Sequence, residues 1–111
     1  MPTIFDPKDF SVIEKNGVNI ATLANQAMLG TNAFRVEKVL LQPGAESASY
    51  PPRNEERFVY VIRGRGQAYV NERAFPLSTE AVLWLEAGDG FYLEAGSDGL
   101  EILFCQAPAT E

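Results

Sequence analysis

Glycine, proline, asparagine and aspartate cut this chain into short apolar or alternating runs, one about every ten residues. Runs that short suit strands better than helices, and turn signals at such regular intervals point to an all-β sandwich or barrel. The strand candidates are Phe34–Gln42, Arg57–Ile62, Gly66–Asn71, Ala81–Leu85, Gly90–Glu94 and Leu100–Gln106. Arg63-Gly64-Arg65-Gly66 can supply the positive φ of a tight hairpin, and Asn71-Glu72-Arg73 reads as a second short turn, so an antiparallel meander is expected. Val18–Leu29 fits a short helix or a strand over Val18–Leu23, with strand preferred.

Two glycine-bracketed segments carry a more specific signal. Gly44 is followed by five residues, Tyr50, one residue, Pro52, four residues, Arg57, six residues and Gly64. Gly88 leads through Gly90-Phe91-Tyr92-Leu93 to Glu94, Gly96 and Gly99. Both spacings resemble the two motifs of the cupin family, over roughly residues 34 to 106. The resemblance implies an antiparallel cupin-type β-barrel of the jelly-roll kind, residues 1–111 forming a single domain with an N-terminal arm over 1–33 and the barrel motifs over 34–106. Glu56–Gly64 is also similar to ureidoglycine aminohydrolase-type cupins.

In cupins two histidines and a glutamate of the first motif, with a histidine of the second, hold a divalent metal. Here those positions are Tyr50, Pro52, Arg57 and Gly99, and the chain contains no histidine. A guanidinium is a permanent cation, and proline and glycine offer no side-chain lone pair. Neither a metal site nor a cofactor is expected. The missing histidine also removes Ser-His and Cys-His nucleophilic catalysis.

If Arg57 points into the barrel, strand alternation sends Val59 and Val61 inward with it, and counting from Gly99 places Glu101, Leu103 and Cys105 inward as well. The expected ligand-binding set is therefore Tyr50, Arg57, Glu101 and Cys105. A buried guanidinium needs a partner, so either Glu101 pairs with Arg57 or an anionic ligand does. Tyr50 and Glu101 are the candidates for acid–base catalysis, a phenol with an ordinary pKa near 10 needing a cation such as Arg57 beside it. Cys105 has no histidine to activate it and reads by default as a small buried hydrophobe. Trp84, Phe91 and Tyr92 read as core or interface aromatics.

The function these residues suggest is a metal-independent cupin-like barrel binding a small anionic molecule. The alternatives are an isomerase- or lyase-type cupin enzyme using Tyr50 and Glu101, and a dimeric scaffold without a ligand. Nine Lys and Arg against fifteen Asp and Glu give a net charge of −6, which disfavours nucleic acid and anionic membranes as partners. One cysteine precludes an internal disulfide and, with an N-terminus lacking a basic-then-apolar leader, suggests a cytoplasmic protein. A homodimer is expected, because a small sheet protein must cover its edges and the Phe10–Glu14 run could be exchanged between copies. Ala107–Glu111 reads as a dispensable end.

Overall fold

The computed structural model describes residues 2–108; Met1 and residues 109–111, part of the stretch read above as dispensable, lie outside them. Turn chemistry fixes two hairpins. Asn16 and Gly17, at φ 55° and 80°, form a left-handed pair that joins β1 (Ser11–Lys15) to β2 (Val18–Ala24) with Lys15 opposite Val18. Asn71 and Glu72, at φ 49° and 70°, do the same between β4 (Glu56–Val70) and β5 (Arg73–Leu77). The segment expected as strand or helix contains both: β2 is followed by the single-turn α1 (Gln26–Leu29), whose N-cap Asn25 accepts a 2.9 Å bond from the Met28 amide. The remaining strands are β3 (Arg35–Leu41), β6 (Val82–Leu85) and β7 (Phe91–Ala107).

All strand pairs are antiparallel, in the order β1-β2-β3-β7-β4-β5, with β6 pairing with β4. This is not a meander, because β7 inserts between β3 and β4. The segment after β3 bridges back to β7 at Glu46–Glu94 and Tyr50–Phe91, so β7 is flanked along its whole length. The result is an antiparallel β-barrel in which β4 and β7 run side by side through both halves. No helix of the described residues is long and apolar enough to cross a membrane.

Arg63–Gly66 does not form the expected hairpin. It is a bulged bend inside the continuous strand β4, with register shifts against β7 between Val61 and Arg63 and again between Gly64 and Gly66. Gly64 explains why the bend tolerates nothing larger: its φ is +99°, and a Cβ there would sit 2.3 Å from the Gly99 carbonyl oxygen.

Registered rows of side chains fill the barrel. Val39, Ile102 and Val61 stand opposite one another on β3, β7 and β4, and all are fully buried. The next row outward is Glu37, Phe104, Val59 and Leu83, followed by Arg35, Gln106, Arg57 and Leu85. Each apolar member that is fully buried contributes about 1.5–3 kcal/mol to stability. The interior is thus apolar at its centre and becomes charged in its last two rows.

Candidate functional site

The charged rows exist because strand register forces them inward. Arg57 lies in phase with Val59 and Val61 on β4 and is 1% exposed, in keeping with the expected alternation. Arg35 and Glu37 lie in phase with Val39 and Leu41 on β3, and Gln106 in phase with Ile102 and Phe104 on β7. Adjacent strands are about 4.8 Å apart, so Arg35 and Arg57 face one interior from backbones about 10 Å apart, with Gln106 between them.

Three aromatic rings wall this end of the lumen. Tyr50 exchanges both backbone hydrogen bonds with Phe91, at 2.7 and 2.9 Å, which brings the two rings into a parallel stack with centroids 4.5 Å apart. Tyr50 also packs on Phe104 at 5.0 Å. The guanidinium of Arg57 sits 5.3 Å from the Phe91 ring centre and that of Arg35 5.4 Å from the Phe104 ring centre. Each cation therefore rests on one aromatic face.

The hydrogen bonding of these cations is incomplete. Arg57 Nη2 donates to the Asp89 backbone carbonyl, but its buried Nε has no partner. Arg35 Nε lies 3.5 Å from Glu37 Oε2 and makes no hydrogen bond either. Glu55 Oε1 is a third buried polar atom without one. Burial pulls the Arg57 pKa down from its ordinary value, opposed by the nearby Glu55 carboxylate. Burial pushes the Glu37 carboxyl up, with Arg35 drawing it partly back. The Tyr50 phenol is pushed up to about 12 by burial and then by the Glu37 charge, the two arginines acting in the opposite sense. Near neutral pH Tyr50 is therefore a hydrogen-bond donor and not a base.

Three residues expected in the lumen, Glu101, Leu103 and Cys105, lie on the outer face. Gly99 has φ +79°, and a Cβ would approach the Leu41 carbonyl oxygen to 3.0 Å. The irregularity places both Gly99 and Leu100 inside, and from there the inward residues are Leu100, Ile102, Phe104 and Gln106. Glu101, Leu103 and Cys105 consequently point outward. Glu101 pairs there with Arg63 at 2.8 Å and Lys38 at 4.0 Å, so it is not the partner of Arg57. Cys105 lines a 190 Å³ surface hollow with Phe58 and Trp84, and burial pushes its thiol pKa up, away from the thiolate. Arg35, Glu37 and Gln106 went unrecognised in the sequence.

No protein-family profile matches the chain. Among proteins of known sequence it is similar to the polyketide synthase CurC of Streptomyces cyaneus, 29% identical over 85 residues that make up 76% of this chain. The chain spans about half the length of that protein, 54% of it. Among solved structures, an RmlC-like cupin from Shewanella frigidimarina superposes with a TM-score of 0.80 at 14% identity, over 100% of this chain and 95% of the other. The chain has the cupin fold. A second cupin-fold neighbour is the Streptomyces nucleoside dehydratase, structures of which include uridine; it superposes with a TM-score of 0.80 at 16% identity, over 100% of this chain and 86% of that one.

The four positions where cupins carry metal ligands do not fit a metal. Tyr50 is a neutral phenol held between two rings, Arg57 brings a positive charge to the centre of the site, Pro52 is exposed with its ring against Gly90, and Gly99 presents only backbone. Among the described residues no group of three Asp, Glu or Cys could hold a metal ion. What this cupin lumen offers instead is two cationic donors, a phenol donor, a carboxyl and two apolar rings.

Proposed function

We propose that this cupin barrel is a metal-independent site for a small, planar, anionic molecule bound at the Arg35–Gln106–Arg57 row. The observation that carries the reading is the pair of guanidinium Nε donors, buried and without hydrogen-bond partners, that face one aromatic-walled lumen. A buried charged donor without a hydrogen bond is costly, and although Arg35 is ion-paired with Glu37 at 3.5 Å, an oxyanion would give both Nε groups a hydrogen bond. Arg57 and Arg35 anchor the oxygens, the Tyr50 hydroxyl donates, and Phe91 and Phe104 contact a flat body. Similarity to a polyketide synthase and to a nucleoside dehydratase solved with uridine favours an oxygen-rich organic molecule over an inorganic ion.

Thermal melts against a panel of aromatic carboxylates, aliphatic dicarboxylates, phosphate and neutral sugars test the reading. Stabilisation by planar carboxylates supports it; no response to any anion, or an equal response to neutral sugars, refutes it. Elemental analysis of the untagged protein accompanies the melts, and one equivalent of transition metal would overturn metal independence.

We further infer that the chain forms a homodimer through the outer face of β4, β6 and β7. Val82 and Trp84 are 61% and 57% exposed, and Phe58, Tyr60, Leu103 and Cys105 extend the apolar surface across the neighbouring strands.

A further inference from the structure

The lumen contains one group that anion binding alone does not require. A site built only to hold an anion gains nothing from a carboxylate of its own, which repels the ligand, yet Glu37 points into this one between Arg35 and Tyr50. Its side chain keeps 16% of its accessibility, so Glu37 is largely but not wholly enclosed. Glu101, the carboxylate on β7 expected in the lumen from the sequence, is committed to Arg63 on the opposite face.

We propose that Glu37 is the proton-transfer group of this barrel, acting on a carbon acid whose C–H is flanked by two oxygen functions held by Arg35 and Arg57. The inference rests on the anion-binding reading above. Two cations on one row, on strands that flank β7, have side chains long enough to converge on a ligand with two oxygen-bearing carbons and an acidic carbon between them. The step is redox-neutral. The C–H bond breaks, its proton passes to a Glu37 carboxylate oxygen, and the bonding pair moves onto the adjacent carbonyl oxygen, which becomes an enolate facing the Arg57 guanidinium. Return of that proton to the same carbon regenerates the substrate, and delivery to the enolate oxygen gives the enol tautomer. Where a β-hydroxyl is present, it leaves as water after taking the proton from Glu37.

The surroundings suit this role. Burial holds Glu37 toward its neutral form, bringing its basicity closer to the operating pH, and Arg35 keeps the charged form accessible. The charged and titratable groups around it are Arg35 on its own strand, Tyr50 from the segment after β3, and Arg57 from β4 beyond Tyr50. Tyr50 stays protonated and can donate to the developing enolate.

The test uses benzoylacetate, a planar carboxylate with a methylene between two carbonyl groups, and follows loss of the methylene proton signal in D2O by NMR. The wild type should accelerate exchange about a hundredfold over buffer, the scale of general base catalysis. Glu37→Gln should abolish the acceleration while binding benzoylacetate with an affinity within about threefold of wild type, since it keeps the shape and loses only the base. The wild-type rate should rise with pH through a single ionisation absent from Glu37→Gln, and Glu101→Gln should leave both rate and profile unchanged. Binding without accelerated exchange, or equal acceleration by Glu37→Gln, overturns the role of Glu37 and leaves the binding site standing. Absence of binding to the wild type overturns both. Should Glu37→Gln fail to fold, the carbon-13 carboxyl titration of wild-type Glu37 decides: the proposal requires a raised pKa that rises further when benzoate binds, and a pKa indifferent to benzoate refutes it.

Discussion

Replacing Arg57 with methionine separates a binding residue from a structural one, because the two roles give opposite signs. The substitution keeps a long flexible side chain in a site that is 1% exposed and removes its charge. It loses the donation to the Asp89 carbonyl, a bond to a charged group worth about 1.5–3 kcal/mol, and the contact with Phe91, worth about 0.5–2 kcal/mol. Against this stands the desolvation of a guanidinium whose Nε has no partner, a penalty of several kcal/mol that methionine does not incur. The opposing contributions are of similar size, so Arg57→Met should fold within about 2 kcal/mol of wild type. Affinity for a planar carboxylate should fall by about 1.5–3 kcal/mol, or roughly ten- to 150-fold. Denaturant unfolding gives the first quantity and calorimetric titration with benzoate the second. Because Glu101 pairs with Arg63 on the far face, adding Glu101→Leu should be additive with Arg57→Met to within about 0.5 kcal/mol. Loss of more than about 4 kcal/mol of stability with benzoate affinity unchanged would refute the reasoning, showing Arg57 to be a structural strut.

Gly64→Ala should cost several kcal/mol or prevent folding, since the new methyl meets the Gly99 carbonyl oxygen at 2.3 Å on a backbone at φ +99°; a melting temperature close to wild type would contradict this. Tyr50 retains its proton to about pH 12, whereas in the unfolded chain it ionises near 10. Between those values the native state binds more protons than the unfolded one, so stability from this group is unchanged below pH 10 and falls by about 1.4 kcal/mol per pH unit above it. Absorbance titration of Tyr50→Phe against wild type should show the missing tyrosine to be a late-ionising one. Light scattering should give twice the chain mass, and Trp84→Glu, which puts a charge on the exposed outer face, should give monomers with intact secondary structure; a wild type that is monomeric at micromolar concentration would remove the dimer.

The barrel was legible from its punctuation, because glycine positions such as Gly64 mark close approaches of β4 and β7 that no other residue permits. Those glycines do not end strands here. They let two strands of 15 and 17 residues bend and continue, so four expected strands are halves of β4 and β7. β5 was missed because Pro76 argues against a strand interior, yet β5 lies at the end of the sheet order, and an edge strand tolerates proline. Arg57 could be placed inward because it stands where the cupin motif carries an inward ligand; the run itself, with Phe58, Tyr60 and Ile62 alternating with Val59 and Val61, is apolar on both faces. Glu101, Leu103 and Cys105 were misplaced because alternation was counted from Gly99, and a slip of one residue transfers a whole strand segment to the other face. The apolar residues Leu100, Ile102 and Phe104 carried the correct phase. Arg35 and Glu37 were hidden for a different reason: β3 has apolar residues on both faces, Val36 and Leu40 outside against Val39 and Leu41 inside, so its pattern does not reveal which charges face the lumen. Only pairing with β7 decides it.

The Nε–H groups of Arg35 and Arg57 report directly on the claim that this lumen binds an anion. Nitrogen-15 spectra of the arginine side chains, assigned with Arg35→Lys and Arg57→Lys and recorded during a benzoate titration, follow both donors at once. The account predicts that both Nε–H signals move downfield together along one saturable curve, while that of Arg63, already bonded to Glu101 at 2.8 Å, stays in place. Signals of Arg35 and Arg57 that remain fixed at saturating benzoate, or that shift no more than those of the exposed arginines, would contradict it.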